Sequence, residues 1–127
     1  MPKVKEDVLK DPILKRIVEI IVKELDPDKI ILFGSRARGD YNEDSDYDIL
    51  VLKRGIKPEE RRPLQRKIRK TFWEKGIYPT TSVDVIVQSV EKFDELKNEV
   101  YMLYYAVVKE GIVIYEKGER DKLAKFR

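Results

Sequence analysis

The chain contains no cysteine and no histidine. Their absence removes whole chemistries: no disulfide framework, no thiolate zinc site, no Ser-His-Asp or Cys-His nucleophile and no imidazole proton shuttle. Long apolar runs are missing too, the longest falling far short of the roughly 20 residues that a membrane span requires. The N-terminus, MPKVKEDVLK, carries charges where a signal peptide needs an apolar stretch, so a cytoplasmic protein is expected. Any catalysis must run on Asp, Glu, Lys, Arg, Ser, Thr or Tyr, or on a hard metal ion held by oxygen.

What is present fits one domain. The 127 residues are 42% hydrophobic and 40% charged, enough for a compact core wrapped in an unusually ionic surface. Lys and Arg total 27 against 24 Asp and Glu, so the pI of about 9.0 reflects a net charge of only +3. Mixed-sign charge at this density favours ion-pair networks over a polyanion-binding surface, and direct nucleic-acid binding is not expected.

Asp11-Pro12 opens the first strong element, with apolar residues recurring at Ile13, Leu14, Ile17, Val18, Ile21, Val22 and Leu25. This predicts an amphipathic N-terminal helix over 11–25 that stops at Asp26-Pro27. Residues 29–33, KIILF, read as a buried strand stopped by Gly34, and SRARGDYNEDS as one helical turn followed by a loop. A second strand is expected over 46–52, then an amphipathic helix from Pro58 or Pro63 to Lys75, carrying Leu64, Ile68, Phe72 and Trp73. SVDVIV (82–87) reads as a third strand, Ser89 caps a short helix, a last helix runs from Asn98 to Glu110, and IVIY (112–115) is a fourth strand. Strands alternating with helices predict an α/β (α+β) domain with a small mixed sheet, its core spanning about 28–115 and its charged tail 116–127.

The chemistry concentrates in three places. Gly34-Ser35, after a strand and at a helical turn, places backbone N–H groups where phosphate oxygens can meet them, with Arg36 and Arg38 adding positive charge. Alone, such a pair is usually only a turn. Asp46 and Asp48 sit two apart in the expected strand and project to one face, where the two charges repel unless a divalent cation neutralises them. Mg²⁺ is the natural candidate, since it takes oxygen ligands and shares carboxylates with substrate phosphates. The bland alternative has Asp46 capping a turn and Asp48 solvated at a strand end. Asp84 shifts the balance, because an acid inside the apolar run SVDVIV has no structural reason to be there. If that strand neighbours DYDILVL, three carboxylates converge before a phosphate-binding turn, as two-metal phosphoryl or nucleotidyl transfer requires.

GSRARGDYNEDSDYD, residues 34–48, resembles the signature of the minimal nucleotidyltransferases of the DNA polymerase beta superfamily: Gly-Ser, ten residues, then Asp-x-Asp. Within that superfamily the chain is most similar to small MNT-type proteins, commonly partnered with a HEPN-domain protein in toxin–antitoxin pairs. The resemblance implies that Gly34 and Ser35 bind the β and γ phosphates, that Asp46 and Asp48 ligate two Mg²⁺ ions, and that Asp84 is the third catalytic carboxylate. Arg36, Arg38 and Asp40 match the longer pattern around the turn. Tyr47 stands where an aliphatic residue is common, a harmless change if it packs on the far face. The resemblance further implies an ATP-using enzyme that transfers AMP to its HEPN partner, onto a tyrosine hydroxyl, and so silences an RNase. Neutralisation by occlusion alone, and modification of a small molecule, are the competing readings. The segment VYMLYYAVV (100–108) is read mainly as core, with some surface left for a partner, and PEERRPLQRKIRK as a solvated face.

Overall fold

The computed structural model describes residues 5–99 and 103–118. In chain order the elements are α1 (Lys5–Val8), α2 (Pro12–Leu25), β1 (Lys29–Phe33), α3 (Ser35–Arg38), β2 (Tyr47–Lys53), a 3₁₀ turn (Pro58–Glu60), α4 (Arg61–Glu74), β3 (Val83–Ser89), α5 (Val90–Leu96), α6 (Leu103–Glu110) and β4 (Ile112–Glu116). The four strands form one sheet in the order β3-β2-β1-β4. β1 pairs antiparallel with both β2 and β4, whereas β2 and β3 run parallel, joined by the crossover through α4. This is the small mixed sheet flanked by helices that the alternation of strand and helix patterns predicts.

Alternation along the strands sends apolar side chains to both faces. Ile30, Leu32, Ile49, Val51, Val83, Val85 and Val87 pack on one side with Leu14, Ile17 and Ile21 of α2 and Ile68 and Phe72 of α4. Ile31, Phe33, Leu50 and Leu52 pack on the other side with Phe93 of α5 and Tyr104 and Val107 of α6. A sheet covered on both faces explains why β1 and β2 read as near-continuous apolar runs.

Several boundaries move. β2 begins at Tyr47, so Asp46 belongs to the preceding loop rather than to the strand. β3 extends two residues past 87, to Ser89. Asn98 and Glu99 are not helical, and the helix expected from Asn98 is described only from Leu103; residues 100–102 lie outside the described residues, as does most of the expected tail, 119–127. Glu116, placed in that tail, is the last residue of β4. The short α1 carries too few residues to show a periodic signal.

The outer edge of β3 is closed by side chains. Gln65 accepts from the Val87 N–H at 2.9 Å, Arg61 donates to the Val87 carbonyl at 2.7 Å, and the Tyr78 hydroxyl donates to the Val83 carbonyl. An edge whose polar groups are engaged in this way is a poor template for adding another strand. At the other end of the chain, Gly111 turns α6 into β4, where a Cβ would meet the Val107 carbonyl at 2.3 Å.

The start of α2 is tied to the sheet through one carboxylate. Asp11 accepts from the N–H of Ile13 at 2.9 Å and of Leu14 at 3.4 Å, as an N-cap should, and its other oxygen accepts from the buried Tyr47 hydroxyl at 2.5 Å. Asp11→Ala is therefore expected to lower the unfolding free energy by about 1–2 kcal/mol. Tyr47→Phe, which keeps the cap, is expected to cost about 1 kcal/mol. Urea titrations of the two variants check the order; equal stability of Asp11→Ala and wild type would remove the shared-cap account.

Candidate active site

The site forms where β1 ends, β2 begins and β3 begins. β1 stops at Gly34, whose backbone turns to φ 73°, and α3 starts at once with Ser35. The N–H groups of Ala37 and Arg38 close on the Gly34 carbonyl at 3.1 and 3.0 Å, leaving those of Ser35 and Arg36 ahead of the turn's own ladder. Gly34 is required twice over. A Cβ there would sit 2.2 Å from Oδ2 of Asp48 in a backbone conformation that L side chains rarely adopt, so the Asp48 carboxylate lies directly against the turn.

The parallel pairing of β2 and β3 puts Asp48 in register with Asp84, while Asp48 also pairs with Phe33 next to the turn. Asp48 is half-buried, and Asp84 and Asp46 are exposed. Burial pushes the Asp48 carboxyl above the ordinary carboxylate range, the charges of Asp84 and Asp46 push it further, Arg38 pulls it down and Glu110 pushes it up. The charges of both other aspartates thus reach Asp48.

Arg38 and Arg36 follow different courses. Arg38 donates to Glu110 at 3.1 Å and to Asp40 at 3.3 Å, and its charge is felt at Asp48. The Arg36 guanidinium instead lies 3.9 Å from the Tyr47 ring centroid and 4.8 Å from that of Tyr41, with Nε donating to the Ser45 carbonyl at 3.0 Å and Nη1 4.0 Å from Asp11. It knits the loop before β2 to the start of α2. Tyr47 lies on the sheet face opposite Asp48, so its ring leaves the carboxylates unobstructed.

Glu110 is the site neighbour that sequence pattern passes over. The one local signal is that an acid closes α6 just before Gly111, at a helix end where a cation suits the dipole better. Tyr78 is a second such neighbour: it takes the Val83 carbonyl beside Asp84, and burial raises its pKa with Asp84 adding to the shift.

The donors here are oxygens alone, the kind that a hard cation such as Mg²⁺ takes. Among the described residues no group of three or more acids is placed to hold a metal ion. Mg²⁺ does not need one, because it takes one or two carboxylates and completes its shell with water and phosphate. Asp48, its carboxyl raised by burial and by its acidic neighbours, is the donor that lies directly against the turn.

A family model described as "Polymerase beta, Nucleotidyltransferase" matches residues 15–120. The chain belongs to this family. Two Methanocaldococcus jannaschii proteins described as candidate protein adenylyltransferases match shorter stretches, one at 53% identity over 38 residues and the other at 75% over 24. These cover 30% and 19% of this chain and only 37% and 24% of the relatives' own lengths. Among solved structures, a candidate nucleotidyltransferase from Sulfolobus solfataricus superposes with a TM-score of 0.56 at 25% identity, covering 90% of this chain and 85% of that one. A toxin–antitoxin structure with AMP-PNP shares the fold at a TM-score of 0.53 and 22% identity, over 86% and 77% of the two chains.

The crowding of charge on Asp48 has a sign. A carboxyl held above its ordinary value of 3.8 in the folded state weakens folding as pH rises through that value, because the native protein is then the one that keeps the proton. Asp48→Asn is expected to melt higher than wild type at neutral pH in metal-free buffer, the gain vanishing below pH 3.8. Calorimetry across that range checks it, and a lower neutral-pH melting temperature would contradict the repulsion. Gly34→Ala should destabilise at every pH, since the added methyl has no space.

Proposed function

We propose that this chain is a Mg²⁺-dependent nucleotidyltransferase that moves AMP from ATP to a tyrosine hydroxyl of a HEPN-domain RNase toxin and so acts as its antitoxin. The observation that carries the reading is the register of Asp48 with Asp84 across parallel strands, with Gly34 against Asp48. Family membership supports nucleotidyl transfer, and the shared fold with toxin–antitoxin structures supports the partner. One of those structures carries two Asp-to-Glu substitutions two positions apart, the spacing of Asp46 and Asp48.

In this reading Gly34 and Ser35 hold the β and γ phosphates through backbone N–H groups and the serine hydroxyl. Arg38 adds positive charge from its place between Asp40 and Glu110. Asp46, Asp48 and Asp84 would hold two Mg²⁺ ions, which when bound would offset phosphate charge and make the acceptor hydroxyl easier to deprotonate. Asp84 takes the acceptor proton as the tyrosine oxygen bonds to the α-phosphorus and pyrophosphate leaves. Arg36 shapes the loop that presents Asp46 and acts on the nucleotide through that loop.

Incubation with Mg²⁺ and ATP labelled at the α-phosphate, with the co-purifying partner as acceptor, tests the reaction. Label from α but not γ is expected on the partner, with Asp46→Asn and Asp48→Asn each lowering the rate about 100-fold or more. EDTA should abolish transfer. Full protection from the toxin by Asp48→Asn, with no transfer by wild type, would move the reading to occlusion.

A further inference from the structure

α4 lies antiparallel to β3 along the edge of the sheet, Arg61 and Gln65 beside Val87 at one end and Tyr78 beside Val83 at the other. Its outward face carries Arg62, Arg66, Arg69 and Trp73, spaced i, i+4, i+7 and i+11, which at 3.6 residues per turn puts them in one narrow stripe. All four are exposed. Among the described residues, no carboxylate lies within ion-pair distance of any of the three arginines. They stand out in a protein whose other basic side chains so often pair: Lys10, Lys29, Arg38, Arg54, Lys70 and Lys117 each have an acidic partner.

Trp73 is 59% exposed and packs edge-on against Tyr78, ring centroids 5.7 Å apart. It is the protein's single tryptophan. A large aromatic left in water at the end of a cationic row is the composition of a recognition surface, since Trp and Arg are enriched in binding hot spots. The row also leads to the chemistry. At the Trp73 end, the Tyr78 hydroxyl donates to the Val83 carbonyl, one residue before Asp84, so the stripe ends beside the β3 edge from which that carboxylate would be reached.

We propose that the α4 stripe is the acceptor-docking surface, and that it binds an acidic segment of the acceptor protein so that the segment's tyrosine reaches Asp84. This rests on the protein-acceptor reading above. Charge complementarity selects the occupant: three unpaired guanidiniums suit carboxylates, and Trp73 offers a face for an apolar or aromatic side chain. The stripe is short and bounded by Glu59 and Glu60 before it and Glu74 after it, which suits a brief acidic peptide better than a continuous phosphodiester backbone.

Trp73 itself reports binding. Its emission, excited selectively, is followed while the full chain is titrated with a Glu-Tyr copolymer, a Lys-Tyr copolymer and single-stranded polyuridylate. A salt-sensitive change with the Glu-Tyr copolymer alone is expected, weakened about tenfold or more in Arg62→Glu/Arg66→Glu/Arg69→Glu. Arg62→Gln/Arg66→Gln/Arg69→Gln should fall between, and both variants should keep wild-type circular dichroism and wild-type affinity for a fluorescent ATP analogue. No response to the Glu-Tyr copolymer, an equal response to the Lys-Tyr copolymer, or unchanged affinity in the Glu variant overturns the proposal. Preferred binding of polyuridylate overturns it in favour of RNA. The two readings fail separately: binding without label transfer removes the catalytic one, and transfer with an unaltered acceptor KM in the Glu variant removes the docking one.

Discussion

Two carboxylates placed side by side across parallel strands repel, and the arrangement around Asp48 and Asp84 follows from accommodating that repulsion. Neither acid is buried in the core; both sit where β2 and β3 begin, Asp48 half-buried and Asp84 exposed. The glycine at the end of β1 lets the Asp48 carboxylate lie against the backbone turn. Arg38 supplies the nearby positive charge, while Asp40 and Glu110 hold its guanidinium in place. A fold optimised only for stability would not gather these charges, and their cost is borne by two apolar layers that cover both faces of the sheet.

The two faces divide the labour. On one, α2 and α4 bury Ile17, Ile21, Ile68 and Phe72 against the strands, and Tyr47 reaches from the sheet to the Asp11 cap. Arg36 lies across Tyr47 and carries that anchoring into the loop before β2. On the other, α5 and α6 cover Leu50 and Leu52, and α6 delivers Glu110 to the site. The loop bearing Asp46 is thus held from one side of the sheet while the carboxylates project from the other.

How much of this is legible in the amino-acid order depends on how local each contact is. The helix over Pro12–Leu25 and the strand over Lys29–Phe33 announce themselves by apolar period and by Asp and Gly punctuation. The Gly-Ser turn and the Asp-x-Asp pair are legible because their spacing is fixed within one hairpin. Asp84 is legible only as an anomaly, an acid in an apolar strand. Glu110, Tyr78 and the inward turn of Arg36 are not legible, because each depends on partners 5 to 72 residues away that no periodicity reports.

The sequence by itself determined the family and most of the elements: a Gly-Ser turn followed at fixed spacing by Asp-x-Asp, among strands alternating with helices, specified a nucleotidyltransferase on a small α/β scaffold. Tertiary structure decided which aspartates meet, which arginine faces them, and which helix face is left in water. The reason is physical. Hydrophobic periodicity specifies that a residue is buried, but strand order and register specify against whom, and only the parallel pairing of β2 with β3 sets Asp48 beside Asp84.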